Sequence, residues 1–293
     1  MTQPASIQLL SPSKLNVFLE VHGKRDDGYH ELETVMLRTS LCDVMNFDAT
    51  TSDRLSLRLV GHPTTDVRDS FPLDNSNLIL RAAEALRLRC GVEYGSAIFI
   101  DKRIPAQAGL AGGSANAATT LIALNQLWDL RLQRSELHEI AASLGSDINF
   151  FIEGSRAAIC RGRGELVESI PLNQNLWAVL ARPTVGNRTP EVFTQLQFAD
   201  QRRSVEQTVA SLRLGTSALV SSASFNRLTR SAMELNSAMA ELMTKMAGLC
   251  NRPVHMTGSG STCFVLARSA REASRIRAQL AGLELAFLST AQV

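Results

Sequence analysis

The run Pro105-Ala106-Gln107-Ala108-Gly109-Leu110-Ala111-Gly112-Gly113-Ser114-Ala115-Asn116-Ala117-Ala118 constrains this chain more than any other stretch. It follows an alternating segment, Ala97–Ile104, in which Ile98, Ile100 and Ile104 share one face of a strand that Pro105 is expected to stop. From Ser114 onward, Ala117, Leu121, Leu124 and Trp128 recur at helical spacing. A strand, a small-residue loop and a helix start bring unpaired N–H groups and the positive end of a helix dipole to one place. A phosphate is the natural guest there. No Gly-Lys-Ser/Thr closes the loop as in a Walker A motif, and the spacing is not that of a dinucleotide fingerprint. On these residues alone, a Gly/Ala turn that lets a helix pack close to a sheet is an equal alternative.

With 293 residues, the chain can bury a full core as one large domain or two ordinary ones. A net charge of +2 argues against nucleic acid or a membrane as a bulk partner. No apolar run approaches the length of a membrane span. Residues 1–13 have neither a basic start nor an apolar signal core, so a cytoplasmic location is expected. Cys42, Cys90, Cys160, Cys250 and Cys263 are odd in number, scattered and without a C-x-x-C pair, which points to reduced thiols rather than a disulfide or metal framework.

Local patterns predict mixed α and β structure. Ser13–Val21 reads as a strand with Leu15, Val17, Leu19 and Val21 on one face and Lys14, Asn16 and Phe18 on the other. Further strands are expected in Thr34–Phe47, Arg54–Leu59, Trp177–Ala181, Val254–Met256 and Cys263–Ala267, and a loop in His62–Asp74. Helices are expected over Leu78–Arg89, capped by Asn75–Asn77 and ended by Gly91, and after Ser135 as N-cap with Gly145 as the stop. Met233–Leu249 and Arg271–Leu280 read as one helix each, and 200–224 as one or two exposed helices with loops.

Several strings carry more than periodicity. The glycine loop resembles the phosphate-binding loop of the GHMP kinases, the superfamily of galactokinase, homoserine kinase, mevalonate kinase and phosphomevalonate kinase. Ser13-Lys14-Leu15-Asn16-Val17-Phe18-Leu19 followed by Asp27-Gly28-Tyr29-His30-Glu31-Leu32 resembles the opening of one branch, whose substrate is 4-diphosphocytidyl-2-C-methyl-D-erythritol in non-mevalonate isoprenoid synthesis. Leu144-Gly145-Ser146-Asp147-Ile148-Asn149-Phe150-Phe151, Gly162-Arg163-Gly164-Glu165 and Thr189-Pro190-Glu191-Val192-Phe193 are similar to later motifs of that branch. The turn Thr257-Gly258-Ser259-Gly260-Ser261 resembles the superfamily's third motif, which packs beside the phosphate loop.

The resemblance implies a two-lobed α/β fold with mixed sheets, an N-terminal ATP-binding domain over 1–170, an α+β substrate-side domain over 171–293, and ligands in the interlobe cleft. It implies phosphoryl transfer from ATP, with Mg2+, to the 2-hydroxyl of the methylerythritol unit. Another small-alcohol kinase of the superfamily, or a nucleotide-binding regulator without catalysis, is the alternative. In the implied site Asp147 is the base, Lys14 holds the hydroxyl or Asp147, and residues 105–115 wrap the phosphates. Asn16 binds the polyol, while Tyr29, His30, Thr189 and Phe193 contact cytidine and erythritol. Tyr29 and Phe193 are expected to sandwich the cytosine. Gly258, Ser259 and Gly260 support the loop. Ser114, with Asp147, is a candidate magnesium contact within an otherwise open ligand set. The implied partner is a small molecule, and the implied assembly a monomer or weak homodimer. Gln107, Ala108, Ala111 and Ala115 replace residues that are often Gly or Ser in such loops. A positive φ at Ala111 would cost on the order of 1 kcal/mol. Asn149 stands where proline is usual.

Overall fold

The computed structural model describes residues 6–62, 68, 71–173, 175–198 and 201–293. Two long strands, β1 (Ser6–Lys24) and β2 (His30–Thr50), are neighbours in a hairpin closed where Arg25 N donates to Tyr29 O at 2.8 Å. Contacts divide the chain into two compact units, and both strands run from one into the other. The first unit takes the residues up to Ser13, Cys42–Ala106 and Ala111–Gly154; the second takes Lys14–Leu41, Gln107–Leu110 and Ser155–Val293. Each unit gathers several stretches of the chain.

In the first unit the later half of β2 pairs antiparallel with β4 (Gly95–Asp101), and β3 (Leu55–Val60) lies parallel to β4. Met45, Phe47, Ile98 and Ile100 are buried, as are Leu121, Leu124 and Phe150 of the helices. Those helices are α1 (Leu78–Cys90), α2 (Gly112–Leu127), α3 (Arg134–Leu144) and α4 (Ile148–Glu153). Asn77 caps α1 by accepting from Ile79 N, and Gly91 ends it in the left-handed region, as the sequence predicts. Two expectations change. β4 ends at Asp101, short of Pro105, because Asp43 Oδ1 takes the N–H groups of Arg103 and Ile104 at 2.8 Å each. The cap of α3 is Gln133, in a reciprocal box with Glu136, rather than Ser135. The expected loop at His62–Asp74 lies largely outside the described residues.

In the second unit the earlier half of β2 pairs with β5 (Ala157–Gly162), which pairs with β6 (Leu166–Ser169) across a turn that carries Gly164. A separate four-stranded antiparallel sheet has the order β11 (Phe287–Gln292), β7 (Trp177–Arg182), β10 (Cys263–Ala267), β9 (His255–Met256). Nothing in the sequence reading anticipated β11. Helices α5 (Thr189–Thr194), α6 (Glu206–Leu214), α7 (Ser217–Ala223), α8 (Thr229–Leu235), α9 (Ser237–Cys250) and α10 (Ala270–Leu280) belong to this unit, as does β8 (Phe225–Asn226), parallel to β1. The 200–224 region does hold two helices, yet Val209, Leu212 and Val220 are buried. The single helix expected at Met233–Leu249 is two. Asn236 leaves the helical region (φ −132°, ψ 91°) and its side chain caps α9 by accepting from Met239 N.

Burial covers both faces of the alternation expected in β1. Leu15, Val17 and Phe18 are buried, and so are Lys14 and Asn16, so both faces of the strand are covered. A lysine in that position is not an edge charge in water.

Candidate active site

The glycine loop leaves Pro105 and Ala106 in the first unit, passes Gln107–Leu110 through the second, and returns to the first at Ala111. Gln107 and Ala111 both adopt positive φ, 48° and 53°, and Ala111 is the N-cap of α2. Bonding within the helix begins with Ala115 N to Ala111 O at 2.9 Å. The N–H groups of Gly112, Gly113 and Ser114 therefore precede the first intrahelical bond, at the positive end of a helix of 16 residues. Gly113 is exposed and a Cβ there would meet only Leu78 Cδ1, at 3.8 Å. Gly112 is buried, and a Cβ there would come within 2.9 Å of Ile104 Cγ2 and 3.0 Å of Lys102 Nζ. The two adjacent glycines answer different needs: one packs, one leaves room outside. Ala115 and Asn116 are buried beneath them.

Under this helix start lies a charge pair that the sequence reading missed. Asp43 is fully buried, and its Oδ2 accepts from Lys102 Nζ at 2.6 Å and Asn116 Nδ2 at 2.8 Å. Burial lowers the Lys102 pKa, and the Asp43 carboxylate pulls it back up. Asp147 immediately precedes α4, with φ −86° and ψ −5° and no side-chain cap bond. It is half-buried, and the helix it opens packs against α2, which carries Ser114.

In the second unit Gly109 fits its place only as glycine. Its φ is 72°, and a Cβ would collide with the Thr257 carbonyl. Lys14 Nζ donates to Gly109 O at 2.8 Å and to Asn16 Oδ1 at 2.6 Å, while Lys14 N donates to Leu110 O at 3.2 Å. Thr262 N reaches Ala108 O at 3.4 Å. Asn16 Oδ1 also accepts from Gly258 N at 2.8 Å, and Asn16 Nδ2 donates to Thr34 Oγ1 at 2.8 Å. Thr257 Oγ1 accepts from Asn16 N at 3.0 Å and turns its own proton toward Gly109 O or Asn16 Oδ1, both at 3.2 Å. Lys14, Asn16, Gly109 and the turn Gly258–Gly260 thus form one buried hydrogen-bonded knot. Asn16, expected at the polyol, has its amide engaged inside the protein.

The substrate-side residues gather in part. Thr189 Oγ1 and Ser259 Oγ lie 2.8 Å apart. The His30 ring stacks on Phe193, centroids 4.6 Å apart, and burial, then the charge of Lys24, lowers its pKa. Phe193 also packs against the core that holds Val192 and Met239. Tyr29 is 52% exposed, with the Arg163 guanidinium 4.8 Å above its ring. Tyr29 and Phe193 are therefore not a free pair of facing rings, as expected for a sandwich. Each already has a planar partner, Phe193 the His30 ring and Tyr29 the Arg163 guanidinium.

Comparison with known proteins shows the family. Profiles of the GHMP kinases N terminal domain and the GHMP kinases C terminal domain match residues 77–155 and 210–283. A 4-diphosphocytidyl-2-C-methyl-D-erythritol kinase of Listeria welshimeri is 34% identical over 94% of this chain and 92% of its own length. One from Shouchella clausii is 36% identical over 93% and 89%. The chain belongs to the GHMP kinases, in the 4-diphosphocytidyl-2-C-methyl-D-erythritol kinase family. A crystal structure described as 4-(cytidine 5'-diphospho)-2C-methyl-D-erythritol kinase superposes on this kinase with a TM-score of 0.78, at 31% identity, covering 98% of this chain and all of the other. Homoserine kinase from Cytophaga hutchinsonii, at 17% identity and a TM-score of 0.70, shares the fold. No described helix of this kinase is long and apolar enough to cross a membrane.

Proposed function

We propose that this kinase transfers the γ-phosphoryl group of ATP to the 2-hydroxyl of 4-diphosphocytidyl-2-C-methyl-D-erythritol, releasing ADP and the 2-phosphate. The observation that carries this reading is the identity of about one third, over nearly the whole chain, to kinases of that name. The N–H groups of Gly112, Gly113 and Ser114 bind the β- and γ-phosphates, with the remainder of 105–115 shaping the loop. Phosphoryl transfer passes through a loose transition state, so these groups position phosphates and offset developing charge. Asp147 accepts the hydroxyl proton. A carboxylate is too weak a base to ionise an alcohol beforehand, so the proton moves late, as oxygen bonds to phosphorus. Lys14 hydrogen-bonds the hydroxyl or the Asp147 carboxylate.

Among the described residues no three His, Cys, Asp or Glu side chains converge as a metal cage. That suits Mg2+, which keeps water and phosphate oxygens and takes few protein ligands. Ser114 Oγ and Asp147 are the side chains that would hold it, and bound there it would screen phosphate charge. Tyr29, His30, Thr189 and Phe193 contact the cytidine and erythritol parts. Asn16 keeps Lys14 and the glycine turn in register instead of touching the polyol. We place the protein in the cytoplasm, as a monomer or weak homodimer acting on a small molecule.

ADP release measured with the cytidine substrate, mevalonate and homoserine tests the reading. Turnover confined to the cytidine substrate is the expected result; preference for either simple alcohol overturns it.

A further inference from the structure

Between the segment that carries Thr189 and Phe193 and the glycine turn runs a chain of buried amides. Asn236 caps α9 with its Oδ1, and its Nδ2 donates to Asn187 Oδ1 at 2.7 Å and to Val185 O at 3.1 Å. Asn187 Nδ2 in turn donates to Ser259 O at 2.8 Å. Ser259 then meets Thr189 through their hydroxyls. Asn187 and Asn236 are both buried, and a buried amide left without partners is costly, so these bonds hold their geometry. The room for the relay is made on purpose by backbone: a Cβ on Gly260 would sit 2.6 Å from Asn187 Nδ2. On its other side, a Cβ on Gly258 would come within 3.0 Å of Gly109 O. The turn is therefore gripped by the phosphate loop at one glycine and by Asn187 at the other.

We propose that Asn187 is a positioning residue for the phosphoryl transfer. Its amide fixes the register between the glycine turn and the segment that presents Thr189 to the alcohol substrate. This rests on the functional reading above and names a device that serves it. Asn187 touches neither substrate; it acts through Ser259 and Thr189. A one-ångström slip in a substrate-positioning group can cost far more rate than binding.

Steady-state kinetics with ATP and the cytidine substrate, together with thermal melts, test the proposal on wild type, Asn187→Ala, Asn187→Asp, Ser259→Ala, Thr189→Val and Asn187→Ala/Thr189→Val. Asn187→Ala lowers kcat/KM for the cytidine substrate about tenfold, with KM for ATP changed less than about twofold. Asn187→Asp keeps the acceptor for Asn236 and loses the donor for Ser259 O, so it behaves like the alanine variant. Ser259→Ala cuts the relay at the hydroxyl and shows the same split without opening the amide core. In the Thr189→Val background, Asn187→Ala adds less than about twofold, although its shift in melting temperature persists. Full activity of Asn187→Asp, additive losses in the double variant, or equal losses for both substrates would make Asn187 a core residue only and overturn the proposal. Should Asn187→Ala not fold, Ser259→Ala decides alone, full activity there overturning it. Wild-type protein inactive on the cytidine substrate would bring down the functional reading itself, an outcome separate from selective loss in the variants.

Discussion

Asp147 and the glycine pair are the residues where function and structure part most cleanly. Asp147 makes no side-chain cap bond to α4, and Asp147→Asn keeps the side chain's size while removing the proposed proton acceptor. Turnover is expected to drop by about 10²–10⁴-fold, with calorimetric ATP affinity within about twofold of wild type. A folded Asn variant with near-normal ADP release would remove Asp147 from the base role. Gly113→Val and Gly112→Val, though adjacent, should differ. Valine at 113 has space inside the protein and projects outward, so the variant keeps its melting temperature and raises KM for ATP at least about tenfold. Valine at 112 runs into Ile104 and Lys102, so the melting temperature falls as well. Identical melting behaviour of the two variants would refute this division of labour.

Among the elements, those legible in the sequence were the ones defined by their own residues. Asn77 and Gly91 bound α1 from within a short window, and the loop from Pro105 to Ser114 spells out its small-residue turn. What was not legible depended on residues far away in the chain. β4 stops early because Asp43, some sixty residues before, takes the N–H groups that would continue the ladder. The break between α8 and α9 needs Asn236 to cap one helix while holding Val185 and Asn187, and an asparagine inside an apolar stripe gives no such notice. The bonds of Asn16 gave no local notice either, because its partners Thr257 and Gly258 lie at the other end of the sequence. The alanine at the start of α2 was readable as a cost and is one: it holds φ 53°. Ala111→Gly relieves that left-handed strain and loses some unfolded-state restriction, for a net gain of up to about 1 kcal/mol. Urea unfolding checks this; a lower midpoint for the glycine variant would show that Ala111 is not strained.

For the whole molecule, acid sensitivity follows in large part from the buried His255. Burial lowers the His255 pKa to about 4, with Ser221 Oγ 2.8 Å from its Nε2 and the Phe264 ring 5.4 Å away. The unfolded chain takes up this proton near pH 6.5, the folded one only near 4. Stability from this group is thus complete above about pH 6.5 and declines as pH falls toward 4, by up to about 3 kcal/mol. Glu20 acts lower down: burial alone would raise its carboxyl, yet Arg227 and the N–H groups of Arg203 and Val21 bring it below the usual value, so its contribution fades only under acid stronger than its normal range. His255→Gln should flatten the urea midpoint between pH 6.5 and 4.5, and an unchanged slope would clear His255 of that role. The long hairpin has a consequence in time. Lys14–Leu41 belongs to the same unit as Ser155–Val293, so the first strands of that unit are made long before their partners. β8, which pairs with Phe18 and Leu19, leaves the ribosome roughly 200 residues later, about 10–40 s at ordinary synthesis rates. Through that interval the stretch of β1 at Phe18 and Leu19 is made but its partner strand is not.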